Sequence, residues 1–421
     1  MFKKIIRYCN KENFDFSTGN IDAFDFHEVF CMFMKSFGFI KSELKGIWIT
    51  IFILTITTSD TLHFILMNIT LYYAIRILDI ALITEASLFV LLMAYLLIIL
   101  ASLKLNFCQY NRLLESLKHD FHYICNEGAK YRERYFKNEL VTWKMCLGCV
   151  IFTLAMGLSM CIFQIISSVV YCATHKAGER VQKPLLYPYW LFGYDYNVEP
   201  IYSILLFLNV TLILFYSYTY VFMVQTQILW IRHLAAKIDI VVWNLEDLLE
   251  DTYQPTNEFE MKQFLDLIKK RMKQIIIFHQ SMYSLLDAYA AVYKKMLMFE
   301  QTVTAPLTCM TAYSFVLKWD DGEFNASFII LCFSIIVQVF IPNYLCTFLS
   351  MKVQSVCDAC FSVPFWMIGP TIRPYLVLMM QRSLRPLPLR AVGFEEISLK
   401  TFSSKMASAY SMFNMLRQIN L

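Results

Sequence analysis

The chain has 421 residues, of which 58% are hydrophobic and 17% charged, and its formal net charge is +4. A soluble domain carries about 25% charged residues, so this chain has too little charge to wet its surface. Its 11 glycines are too few for glycine-punctuated transmembrane strands, phosphate loops or transporters with glycine-broken helices.

The apolar residues come in runs long enough to cross ~30 Å of hydrocarbon as helix. The expected fold class is therefore an all-α membrane protein. From Met1 to Phe16 there are basic residues but no apolar core of signal-peptide length, so the chain start is expected to stay in the cytosol. Phe26, Phe30, Phe33 and Phe37 follow at steps of four, three and four, on one helical face. This run is too short and too charged to span. It reads either as a helix lying in the inner membrane interface or as one packed on the cytosolic ends of a bundle. Residues 1–45 form the expected cytosolic N-terminal region with its interfacial helix.

Seven spans are predicted, at roughly Lys45–Ala74, Ile80–Leu103, Lys144–Tyr171, Pro200–Gln227, Phe299–Leu317, Ala326–Met351 and Ile397–Arg417. Of the 37 Lys and Arg residues, 29 fall before the first span or in every second connection after it, and 5 fall in the alternate connections. Basic residues stay on the cytoplasmic side, so the N-terminus is expected inside and the C-terminus outside. Cys172 is the one cysteine placed clearly in an outer loop, so no loop-stapling disulfide is implied. The spacings Cys146–Cys149 and Cys357–Cys360 fall in helical patterns without nearby His and read as small packing residues. No metal site, cofactor or nucleic-acid partner is expected.

The fourth and fifth spans continue past the bilayer. Ile228, Ile231, Leu234, Ile238, Val242 and Leu245 keep helical spacing up to a break at Gln254-Pro255-Thr256-Asn257. A second run, Glu258 to Tyr293, has neither Pro nor Gly and leads into the fifth span; 36 residues of helix rise about 54 Å. Apolar stripes on projecting helices need partners, either each other in a hairpin or other subunits. The divisions are 46–228 for the first four spans, 229–298 for a cytosolic assembly region, 299–351 for the next two spans, 352–396 for a second cytosolic helical region and 397–421 for a last helix.

In that last helix Lys400, Ser404, Ser408, Ser411, Met415 and Gln418 fall within about 80° at 100° per residue. Phe402, Met406, Ala409, Phe413 and Leu416 take the other side. A polar stripe on a spanning helix faces protein or water rather than lipid. Close helix packing and a hydrated wall both remain open on this pattern. Arg417 and Lys405 lie near and off the stripe, with no assigned role.

Several stretches resemble the insect odorant receptor family. They are Pro184-Leu-Leu-Tyr-Pro188-Tyr-Trp190 with Asp195 and Pro200-Ile-Tyr202 before the fourth span, and Ile277-Phe-His279 with Phe299-Glu-Gln301 entering the fifth. Gln338-Val-Phe, Ala359-Cys-Phe and Trp366 follow. The tail then reads Arg385-Pro-Leu-Pro-Leu-Arg390-Ala-Val-Gly-Phe394, with Ile397 to Phe402 and Ala409 to Phe413. The pieces occur in family order across most of the chain. The resemblance implies a ligand-gated, non-selective cation channel, not an enzyme. Four seven-helix subunits would meet through the cytosolic extensions, with the last helix on a central pore. The co-receptor of that family has a long insertion before the fifth span that this chain lacks, so the chain looks like a tuning subunit. It is expected in a heterotetramer with the co-receptor, in the plasma membrane of sensory neurons.

The resemblance also places the gate on Met415 and Ile419 with Gln418 beside them, and Ser404, Ser408 and Ser411 along the pore. It places a small volatile, largely apolar ligand in the outer half, near Phe89, Leu92 and Met93, near Met156, Ser159 and Phe163, near Asn209 and Ile213, and near Ile329 and Phe333. A buried Asn209 amide needs a partner, either a ligand oxygen or another helix. A gustatory-type channel subunit of the same superfamily is the alternative. A G-protein-coupled receptor is opposed by the basic-residue distribution. A transporter or membrane enzyme is opposed because the spans contain Asp60 and Glu85 as isolated acids and no His–Glu–His constellation.

Overall fold

The computed structural model describes residues 2–16, 21–41, 46–126, 128–174, 183–194, 198–250, 257–320, 322, 325–385 and 396–419. Helices α1 (Phe2–Cys9), α2 (Ala23–Phe26) and α3 (Glu28–Ser36) precede the long elements α4 (Gly46–Ile77), α5 (Ile80–Leu105), α6 (Phe107–Asn126), α7 (Ala129–Thr174), α8 (Ile201–Glu246), α9 (Glu258–Asp320) and α10 (Ala326–Ser362). Then come α11 (Phe365–Ile368), α12 (Arg373–Ser383) and α13 (Leu399–Ile419). Asp195, the break at 254–256 and the tail motif over 386–394 lie outside the described residues.

Helices α4, α5, α7, α8 and α10 are each long and apolar enough to cross a membrane. The other two crossings are the distal part of α9 and all of α13, and their sequences explain why composition alone does not single them out. In α9 the crossing carries Glu300, Gln301, Thr304, Thr308 and Thr311, all buried inside the protein. Each of those threonine hydroxyls donates to a carbonyl of its own helix. Polar groups satisfied this way are tolerated within a bundle that keeps lipid off them. By contrast, α4 presents Ile51, Leu54, Leu62 and Ile65 outward as an exposed apolar face, as suits lipid contact.

The core is divided in two. An outer cluster joins α4, α5 and the distal part of α7 to the starts of α8 and α10. A larger cytosolic cluster joins α3, α6, proximal α7, distal α8, proximal α9, the end of α10 and α12. Helix α8 is the axis of the second cluster: every residue from 219 to 241 except Arg232 is buried. Its apolar stripe is therefore covered by helices of its own chain. Phe259, Leu267 and Ile277 on α9, and Tyr375 and Leu378 on α12, remain exposed at the cytosolic end.

The four spaced phenylalanines face inward. Phe26 packs on Phe121 and Phe136, Phe30 meets Trp230 edge-on with centroids 5.6 Å apart, Phe33 lies 4.8 Å from Tyr218 and Phe37 4.4 Å from Phe222. All four are buried, so of the two expected arrangements the rings adopt packing on the bundle, not contact with lipid. The reason is supply. α6, α7 and α8 present an aromatic surface that gains more from closing on these rings than an interface would.

Buried ion pairs set the register of the cytosolic half. Lys237 donates to both oxygens of Asp120 at 2.9 and 2.7 Å, with His233 3.2 Å from the same carboxylate. Burial by itself raises the Asp120 carboxyl, but the His233 ring and the Lys237 ammonium outweigh it and hold it well below the usual carboxylate range. His27 and Glu139 meet at 3.0 Å, and Lys352 donates to Asp239 at 2.6 Å. These bonds join α6, α7, α8, α10 and the N-terminal helices.

Candidate functional site: a cavity beneath the outer loop

Four helices turn one face each towards a common space in the outer half. On α5 the face is Phe89, Leu92 and Met93, at helical steps of three and one. On α7 it is Phe152, Met156 and Met160, one turn apart each time. On α8 it is Ile213, Tyr216 and Tyr220, and on α10 Leu331, Ile335 and Gln338. Aromatic and thioether side chains supply adaptable apolar wall with few polar groups, as small-molecule pockets require. The space has a volume of about 80 Å³.

The space stays open partly because α7 and α8 approach closely beside it at Gly157. A Cβ built there would lie 2.9 Å from Ser217 Cβ, nearer than real side-chain carbons come. With no side chain at 157 the two helices close up and leave the bulk of the cavity to longer residues on either side.

The loop of residues 183–194 folds in as a roof. Tyr187 reaches the cavity and sits edge-on against Phe89, with centroids 4.6 Å apart. Trp190 stacks on Tyr73 at 4.3 Å, and its backbone N–H donates to Thr70 Oγ1 at 3.0 Å. At the other side Pro184 O accepts from Gln164 Nε2 at 2.8 Å and from the Tyr202 hydroxyl at 3.2 Å. Both ends of the roof are thus fastened, one to α4 and one to α7 and α8.

Of the residues expected near a ligand, Phe89, Leu92, Met93, Met156 and Ile213 line this cavity. Asn209 is buried beside it, not on its wall, and accepts from the Tyr189 hydroxyl at 3.0 Å. The amide oxygen therefore bonds the roof, while its Nδ2 has no hydrogen-bond partner among the described residues. Ser159 is half-buried and donates to Met156 O within α7, and Phe163 is half-buried outside the wall. Ile329 and Phe333 are 43% and 52% exposed. Leu331 and Ile335, on the opposite face of α10, take the inward positions. Reading the run without its phase selects the wrong side of the helix. Tyr187, Tyr216, Gln338 and Asp60 also line the cavity and were not anticipated. For Asp60 the signal was in the sequence, as an acid in mid-span. Glu85, the other isolated acid, is bound to Lys318 at 3.0 Å.

Helix α13 packs on α9 and α10 through Thr401, Ala409 and neighbours such as Phe402, which meets Phe340 at 5.6 Å. The expected stripe faces away from its own chain: Lys400, Ser404, Ser408, Ser411, Met415 and Gln418 are all exposed. Ser408 and Ser411 donate to Ser404 O and Ala407 O in the helix, and nothing among the described residues covers them. The side chain of Ile419 lies outside the described residues.

Seven crossings, a roofed apolar cavity in the outer half and a final helix whose polar face is exposed define a seven-helix membrane protein with an apolar cavity in its outer half. The 7tm Odorant receptor family profile matches residues 85–410. The chain belongs to that family. Odorant receptor 85f of Drosophila melanogaster is 21% identical over 276 residues, covering 64% of this chain and 65% of the relative. Odorant receptor 2a of the same species is 26% identical over 115 residues, covering 27% and 29%. The chain thus spans just under two thirds of the first relative's length and under a third of the second's. The solved insect olfactory receptor OR5 from Machilis hrabei has the same fold, with a TM-score of 0.68 and 14% identity over 94% of this chain and 98% of that one. Its complex with eugenol gives 0.69 and 13% over 94% and 97%.

Proposed function

We propose that this chain is a tuning subunit of an odorant-gated, non-selective cation channel and that the roofed cavity holds the odorant. The observation that carries this reading is the space among α5, α7, α8 and α10, walled by Phe, Met and Tyr side chains and bordered by Tyr187 of the roof. Such a wall selects by shape and contact area. The similar receptor OR5 is described in complex with eugenol, a small aromatic molecule of the size class such a wall suits.

The ion path lies along the uncovered stripe of α13. An exposed row of serines, with Met415 and Gln418 towards the outer end, lines a water-filled pore when several copies of the helix meet on one axis. An apolar ring there gates by dewetting, and Met415 with Ile419 forms it. Partners for assembly are co-receptor subunits, giving a heterotetramer in the plasma membrane of sensory neurons. The exposed Phe259, Leu267, Ile277 and Leu378 at the cytosolic end supply apolar surface for that contact. The experiment is co-expression with an insect odorant co-receptor and patch-clamp recording under a panel of volatile esters, alcohols, aldehydes and amines. An evoked inward current that needs no G protein is expected; silence across the panel with both chains at the cell surface overturns the proposal.

A further inference from the structure

Asp60 lies near the middle of α4, is fully buried, and is among the residues that border the cavity. Neither of its oxygens has a hydrogen-bond partner among the described residues. The wall carries no Lys, Arg or His to balance it. An unpaired carboxylate in such a place is costly, and the cost falls once a cation with its own donors arrives. The rest of the wall suits a cation as well. Phe89, Tyr187, Tyr216 and Tyr220 surround the space, and aromatic faces attract ammonium groups.

We infer that Asp60 is the anchor for a protonated amine, so that the cavity takes small aromatic or branched ammonium ions. The ammonium nitrogen donates up to three hydrogen bonds. Two satisfy the Asp60 oxygens and a third is available to the Tyr216 hydroxyl, while the carbon skeleton lies against Leu92, Met93 and Met156. A neutral alcohol or ester of the same shape satisfies at most part of this set and leaves the carboxyl group without its counter-ion. This inference rests on the cavity being the ligand site.

The test uses the full-length chain in lipid nanodiscs at neutral pH, with direct binding of 2-phenylethylamine and its neutral isostere 2-phenylethanol. The amine is expected to bind at least tenfold more tightly, and Asp60→Asn to bring the two within about twofold by weakening the amine alone. Equal affinities in the wild type, or a preference for the amine that survives Asp60→Asn, overturns the assignment. If Asp60→Asn does not fold, the wild-type ratio decides the matter by itself. Currents from the same pair of ligands in cells with the co-receptor are recorded separately. An amine preference in binding without any current sinks the channel reading and leaves the anchor standing.

Discussion

Gly157 and Ser217 touch across the crossing of α7 and α8 so closely that a single added carbon at 157 would meet Ser217 Cβ at 2.9 Å. Both residues border the cavity, so the contact controls how wide the space between Met156 and Ile213 remains. Gly157→Ala must push the helices apart or force a rotamer change, a cost of about 1–3 kcal/mol in a packed interior. The expected result is about a tenfold rise in the odorant concentration for half-maximal current. Adding Ser217→Gly removes the opposing carbon and restores most of the response. A double-mutant cycle with no coupling between the two sites would show that this crossing does not shape the pocket.

The Asp120–Lys237 pair is a stability element remote from ligand and pore. It ties α6 to α8 inside the cytosolic core, where every charge depends on its partner. Lys237→Met leaves Asp120 with only the His233 and His119 rings and is expected to cost about 3–5 kcal/mol. Thermal unfolding of the detergent-solubilised chain measures it. Asp120→Asn with Lys237→Met removes both charges and recovers part of the loss. Surface expression follows stability in both variants, while half-maximal ligand concentration in the surviving channels is unchanged.

The number of crossings, their order and the two cytosolic extensions are legible from run length and charge, because bilayer thickness and basic-residue placement act on each segment separately. Long α8 and α9 follow from patterns free of Pro and Gly at the membrane edge. What the pattern does not supply is phase. Phe333 and Ile335 are both apolar and neighbours in sequence, yet one faces outward and the other lines the cavity, and only the packing of α10 on α8 decides which. The roof is visible as a motif-bearing loop, but its insertion depends on bonds to Thr70 and Gln164, 120 and 20 residues earlier in the chain than the residues they hold. Asp60 was visible as an anomaly, and its use depends on which helices surround it.

His279 gives the cytosolic half a pH response. It is buried on α9 beneath α12, with Nε2 3.4 Å from Ser383 Oγ and its ring 5.1 Å from Tyr283. Burial and, after it, the Arg382 charge lower its pKa from the ordinary value to about 4. The folded chain therefore keeps this ring neutral while an unfolded chain binds a proton below about 6.5. Between those two values the unfolded state holds more protons, so stability falls as pH falls. The loss begins below about pH 6.5 and is complete near 4, with a slope of up to about 1.4 kcal/mol per pH unit. Thermal unfolding from pH 7 to 5 should show the decline in wild type and a flatter profile in His279→Gln. Equal slopes would remove the assignment to this residue.

The uncovered side of α13 makes the sharpest demand on the channel reading. Met415 is 55% exposed, and Ser408 and Ser411 satisfy their hydroxyls within the helix, so removing one side chain leaves the fold of the single chain intact. Met415→Ala and Gln418→Ala are expected to raise basal current or alter relative cation permeability by about twofold or more, with ligand sensitivity unchanged. Ser408→Cys should react with a water-soluble thiol reagent applied from outside, faster in the presence of odorant, while Ala409→Cys on the buried side should not. Asn209→Ala acts the other way. It loses the bond from Tyr189, loosens the roof and shifts ligand sensitivity, leaving permeability alone. If instead the stripe cysteine is inert with and without ligand, the exposed serines are meeting a neighbouring helix or lipid, and the ion path must run along the partner subunits.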